Sequence, residues 1–228
     1  MESLQELNGR IVSCTRCPRL IRWCRDVALT KRRMYADWEY WGKPVPGFGD
    51  PEARVLVVGL APAAHGANRT GRLFTGDQSG NWLYNALYRQ GWANQPIATH
   101  RTDGMTLTDA YITAAARCAP PQNRPTPEEL SNCTPFMNEE LDILHRLEVV
   151  LALGAVAFDR FLRLWKSRGN NIPAPKPRFG HNAVYELSPG LKLVGCYHPS
   201  RQNTNTGKLT REMLDSAFST AKSLLSNP

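Results

Sequence analysis

Apolar residues along the chain fall into short unbroken runs, separated by longer stretches in which they recur every three or four positions. The runs "RVLVVGL" from Arg54, "DAYITAAA" from Asp109, "VVLALG" from Val149 and "LKLVGCYH" from Leu191 read as buried strands. Between and after them, "NWLYNALYRQG" (closed by Gly91), "TPEELSNCTPFMNEELDIL", "AVAFDRFLRLWKSRG" and "TREMLDSAFSTAKSLL" carry helical spacing. Ser3 and Glu6 form a capping box that opens a further helix near the N-terminus. Thr126 caps the second of the four helices, Pro127 suits its first position, and Pro135 predicts a break or kink inside it. Strands apolar on both faces and alternating with helices predict an α/β chain with a parallel sheet covered on each side. The basic, aromatic and then Pro- and Gly-rich segment 31–51 reads as surface. No repeat appears, and residues 1–228 read as one domain, with the segment of about 1–50 packing on its core.

Ligands of such sheets bind beyond the carboxyl ends of the strands. Four segments leave those ends: Gly59–Gly80, Arg117–Thr126, the turn at Gly154, and "HPSRQNTNTG" from His198. The first is free of bulk and matches neither glycine-rich phosphate-binding pattern. Gly59, Leu60, Ala61, Pro62 and Ala63 leave room for a flat group, and Phe74 offers a ring to stack on it, unless that ring is simply core. Asp77 is the single carboxylate of this segment; it suits charge stabilisation or activation of water, and equally a helix N-cap. His198 is placed to donate a hydrogen bond to an oxygen gaining negative charge, with Pro199 fixing the turn. Beyond it, Ser200, Arg201, Gln202, Asn203, Asn205 and Lys208 form a polar loop able to meet a phosphate backbone.

Charge strengthens that last reading: 28 Lys and Arg against 20 Asp and Glu give a formal net charge of +8, which favours a polyanionic partner. No run of about 18 apolar residues occurs, and the N-terminus lacks an apolar signal core, so a cytoplasmic protein away from membranes is expected. Six cysteines in such a setting point to metal rather than disulfides. Cys14 and Cys17 make a C-x₂-C pair; with Cys118 and Cys133 they supply four thiolates from two separate segments, suited to zinc or a [4Fe–4S] cluster. Cys24 and Cys196 read as core residues.

Three stretches together, "GLAPAAHGANRTGRLFTGD", "YITAAARCAPPQNRPTPEE" and "HPSRQNTNTGKLT", resemble the uracil-DNA glycosylase superfamily. The branch they are most similar to is its iron–sulfur family 5, also called type B. The resemblance runs in order from about residue 10 to 225 and includes the four cysteines. It implies a three-layer αβα sandwich around a four-stranded parallel sheet, and a [4Fe–4S] cluster on Cys14, Cys17, Cys118 and Cys133. It also implies a substrate, DNA carrying uracil or another deaminated base, flipped out into the sheet edge. Asp77, His198 and Asn123 become the expected catalytic residues. Leu60 and Ala61 stand where sister families place a water-managing polar residue, and Ala114 where they place an Asn that reads uracil. A pocket without that Asn loses a means of rejecting other bases, so hypoxanthine is an expected second substrate. No lysine nucleophile lies in the matched stretches, so a monofunctional, monomeric enzyme is expected.

The alternative is a non-catalytic, metal-stabilised protein that binds nucleic acid through its basic face. A zinc deaminase is excluded by sequence: "CTRC" follows Ser13 rather than Pro, and no His-x-Glu occurs.

Overall fold

The protein is seen in a computed structural model, which describes residues 3–226. Helices α1 (Leu4–Val12) and α2 (Pro18–Thr30) lead to the short strand β1 (Phe48–Gly49) and then β2 (Val55–Gly59). Next come α3 (Ala67–Thr70), α4 (Gln78–Arg89), β3 (Ala110–Ala114), α5 (Pro127–Ile143), β4 (Val149–Leu153) and α6 (Ala155–Ser167). The hairpin strands β5 (Val184–Ser188) and β6 (Leu191–Cys196) precede α7 (Arg201–Asn205) and α8 (Arg211–Ser223).

The sheet has six strands in the order β1-β3-β2-β4-β6-β5. Its four central strands are parallel, in the positions the apolar runs predict, while β1 and β5 add antiparallel edges that the four-stranded expectation lacked. Period-two alternation sends neighbouring residues to opposite faces. Val55, Val57, Ile112, Leu151 and Val194 pack against α4 and α8 through Leu83, Leu87, Leu214 and Phe218. Leu56, Val58, Val150, Ala152 and Leu193 meet α5 and α6 through Leu130, Met137, Phe158 and Phe161. This is the three-layer αβα arrangement.

Two local expectations are corrected. Helix α5 runs unbroken through Pro135. Both Pro135 and Ser131, whose carbonyl loses its donor, face solvent, so water replaces the missing bond. The segment 31–51 is not all surface: Tyr40, Pro44, Val45 and Gly47 are buried, and the Val45 N–H donates to the Arg117 carbonyl at 2.7 Å.

Buried arginines staple the layers. Arg72 pairs bidentately with Asp103 at 2.8 and 2.7 Å. Burial alone would raise the Asp103 carboxyl, but Arg72 and the N–H groups of Thr99 and Met105 hold it well below the usual carboxylate range. Arg117, fully buried, donates to Glu140 at 2.6 Å, and Glu140 also accepts from the Thr113 hydroxyl at 2.6 Å. Removing one partner leaves the other as a buried, uncompensated charge. Glu140→Ala is expected to lower the unfolding free energy by about 3–5 kcal/mol in urea denaturation; an unchanged midpoint would show that the pair does not stabilise the fold.

Candidate functional site

Beyond β2 the chain makes a loop whose glycines are filled by the protein's own groups. A side chain on Gly59 would begin 2.7 Å from the Phe74 ring, and one on Gly66 would begin 2.2 Å from Asp77 Oδ2. At Gly80 it would overlap the Phe74 carbonyl. The lack of bulk therefore first seats Phe74 and Asp77, rather than leaving all its room to a ligand. Phe74 adopts a left-handed backbone (φ 52°), which costs energy for an aromatic residue and marks a site held by its surroundings. Leu60, Ala61, Ala63 and Phe74 keep partly exposed surface, whereas Gly59, Pro62 and Ala114 are buried behind them.

Asp77 is the N-cap of α4, and Oδ1 accepts from the Gly80 N–H at 2.9 Å. Burial raises its carboxyl above the ordinary value; the N–H groups of Gly80 and Ser79, then Arg201 and Arg69, pull it back down. His198 follows β6, its ring centroid 5.9 Å from that of Phe74. Burial lowers its imidazole to about 4, so the ring is neutral near pH 7. One sheet edge thus holds a carboxylate, an aromatic face and a neutral imidazole, a set able to stabilise positive charge, stack a flat ring and donate a hydrogen bond to an oxygen.

The stretch after His198 is not an open loop. Ser200 caps α7 by accepting from the Asn203 N–H at 3.3 Å, and Asn203 Nδ2 donates to the His198 carbonyl at 2.9 Å. Asn203, partly buried, thus holds the His198 carbonyl. Arg201, Gln202 and Lys208 are exposed, with the Lys208 ammonium 5.2 Å from the centroid of the Tyr197 ring. Asn123 lies exposed in a short 3₁₀ turn with φ 56°, and among the described residues it makes no hydrogen bond with Asp77 or His198.

The four cysteines come from three places in the fold. Cys14 and Cys17 join α1 to α2; Cys118 follows β3; Cys133 lies in α5. Arg19 of α2 pairs with Glu129 of α5 through two 2.7 Å hydrogen bonds, and Asn132 Nδ2 donates to Cys17 Sγ at 3.6 Å. Burial raises the Cys17 and Cys133 thiols, and Cys14 raises both further. Cys24, expected as core, is buried, and its thiol donates to the Ala119 carbonyl at 3.5 Å; the neighbouring Cys24 and burial push the Cys118 thiol up. Among the described residues no three Cys, His or acidic side chains converge as one shared ion requires. Four cysteine thiols are a donor set suited to zinc or to a [4Fe–4S] cluster.

Residues 46–222 match the sequence model of the Uracil DNA glycosylase superfamily. The chain belongs to that superfamily. It is 51% identical, over 97% of its length and 82% of the relative's, to a type-5 uracil-DNA glycosylase of Mycobacterium bovis. It is 46% identical to one of Thermus thermophilus over 94% of each chain. A type-4 uracil-DNA glycosylase of Thermotoga maritima is 28% identical over 98% of this chain and 95% of its own. Within the uracil-DNA glycosylase superfamily the similarity is thus to the type-5 branch.

Two features of this glycosylase edge escaped sequence reasoning. Arg201 acts electrostatically on Asp77, and so does the buried Arg69. Nothing in the local pattern of the loop signals that Arg69 is enclosed. The neutral state of His198 is directly testable. Its folded value lies below the unfolded 6.5, so folding favours the neutral ring; stability from this group is present above about 6.5 and is lost as pH falls toward about 4. An NMR titration of the ring is expected to show a midpoint near 4; a midpoint at the ordinary histidine value would contradict the site's enclosure.

Proposed function

We propose that this chain excises uracil from DNA, hydrolysing the N-glycosidic bond of a base flipped into the edge between the Asp77 and His198 segments. The observation that carries the reading is the meeting of Asp77, Phe74 and His198 at the carboxyl ends of β2 and β6, in a chain of this superfamily.

The extruded base stacks on the exposed face of Phe74, and Leu60, Ala61 and Ala63 line its approach. As the C1′–N bond breaks, its electron pair leaves with the base and positive charge grows on the sugar. The Asp77 carboxylate stabilises that charge and accepts a proton from the water whose oxygen bonds to C1′. His198, neutral, donates a hydrogen bond to the base oxygen where negative charge develops. The departing base takes up a proton and an abasic site remains, with the strand uncut. Ala114 presents no polar group to read the pairing edge, so hypoxanthine is accepted too. Asn123 closes on the base or water when DNA binds. Arg201, Gln202 and Lys208 engage phosphates, and the enzyme works as a cytoplasmic monomer.

Cys14, Cys17, Cys118 and Cys133 would hold a [4Fe–4S] cluster, which would tie the connection between α1 and α2 to α5 and to the segment that follows β3. When bound, the cluster supplies a structural brace rather than a reacting group. Cys17→Ser is expected to lower bound iron to well under half of the parent's content by colorimetric assay, while Cys24→Ser retains it; full iron in Cys17→Ser would refute this ligand set.

The catalytic assignment is tested by single-turnover release from duplexes carrying one uracil or one hypoxanthine. Gly66→Ala displaces the Asp77 carboxylate without touching its chemistry, and a misplacement of about 1 Å costs about a hundredfold. A comparable loss is expected for Asp77→Ala. Release of neither base by the iron-loaded parent would leave a nucleic-acid-binding protein instead.

A further inference from the structure

Three of the most enclosed arginines carry a carboxylate partner: Arg72 has Asp103, Arg117 has Glu140, and the partly buried Arg54 has Asp109. Arg69 does not. It is 3% exposed, yet among the described residues it forms no salt bridge. Its Nε donates to the His65 carbonyl at 2.9 Å and its Nη2 to the Gly76 carbonyl at 2.7 Å, while Nη1 is buried with no partner. The guanidinium is clamped between two rings, its carbon 3.9 Å from the centroid of Tyr35 and 4.0 Å from that of Trp38. A buried positive charge without a counter-charge is costly, and cation–π contacts offset only part of that cost. Such a charge persists where something else requires it.

What it faces is the Asp77 turn. Gly76, whose carbonyl Arg69 holds, immediately precedes Asp77. The Arg69 N–H donates to the Gly66 carbonyl at 2.9 Å, and Gly66 is the residue on which Asp77 Oδ2 rests. A side chain on Gly76 would begin 2.6 Å from Nη2, so the turn is shaped around the guanidinium.

We propose that Arg69 is a positioning residue for Asp77, locking the Gly76–Asp77 turn and supplying a fixed positive charge beside its carboxylate. This rests on Asp77 being the reacting carboxylate. The other groups facing Asp77 are Arg201 of α7, the Ser79 and Gly80 N–H groups of α4, and the neutral His198 beside Phe74. Arg201 is exposed, so solvent and salt screen it, whereas Arg69 acts from within. Burial pushes the Asp77 carboxyl up, and a protonated acid can neither stabilise a cationic sugar nor take a proton from water. Arg69 opposes that rise in a place water does not reach.

The test is the pH profile of single-turnover uracil release by the iron-loaded protein. In Arg69→Met the acid limb moves to higher pH, so that release at acidic pH falls by about tenfold more than release at mildly alkaline pH. Arg69→Lys restores the limb toward the parent's position, and the substrate concentration for half-saturation is unchanged in both. A purely structural Arg69 would instead lower the rate evenly across pH. A limb that stays in place in a folded Arg69→Met overturns the proposal. If that variant does not fold, Arg69→Gln carries the test, read by carbon-13 NMR of the Asp77 carboxyl: a titration unmoved from the parent's overturns it equally. Asp77→Asn separates the two claims. Parental release by it ends the role of Asp77 itself, whereas an inactive Asp77→Asn with an unmoved Arg69→Met limb ends only the role of Arg69.

Discussion

Asp77 can stand where it does because Gly66 has no side chain. Its Oδ2 occupies the space a Cβ would need, and Oδ1 is bound to the first turn of α4. From this close approach the rest of the edge follows. The helix that Asp77 caps, α4, packs against α8; the turn before it wraps the Arg69 guanidinium; Phe74, three residues earlier, lies over Gly59 and against His198. The cap and the proposed reacting group are the same carboxylate. The backbone N–H groups that cap the helix also favour the charged form that catalysis needs, so the two roles support one another.

The site is divided by charge. At Asp77 stand a carboxylate and two arginines; beside Phe74 stands an imidazole that burial keeps neutral. A neutral imidazole donates one hydrogen bond without bringing a second positive charge toward the cation forming on the sugar. Asn203 and the Gly154 turn hold it: one bonds the His198 carbonyl, and the other lets His198 Cβ come within 3.4 Å of where a side chain would start. The cysteine-bearing elements brace the opposite end of the same edge. Arg19 and Glu129 clasp α2 to α5, and Arg117 next to Cys118 is buried against Glu140, two turns beyond Cys133.

The four parallel strands were legible because both of their faces are covered, leaving unbroken apolar runs such as "VLVVG" and "VVLAL". The edges were not. Strand β1 has only two residues, and β5 reads "VYELS" with two of its five side chains exposed and one buried. The residues of the site were legible as types on loops, since Asp77, Phe74 and His198 leave strand ends and carry chemistry a core does not need. Their arrangement was not legible, because it depends on contacts between distant segments. Tyr35 and Trp38, from a segment that reads as surface, pack against Arg69 and help to make it a buried charge. Asn203 similarly looked free because its partner, the His198 carbonyl, exists only once α7 has formed.

The central claim is that this edge, and not another cleft, receives the extruded base. A competing cleft of about 290 Å³ runs along α4 between Gln78, Trp82 and Arg211. The most direct measurement is a crystal structure of the iron-loaded protein with a duplex containing 2′-fluoro-2′-deoxyuridine, which resists hydrolysis. The uracil ring is expected against Phe74, its oxygen within hydrogen-bond reach of His198, and the Asp77 carboxylate facing C1′. A uracil lodged along α4, or stacked in the duplex with Asp77 remote from the sugar, would contradict that claim.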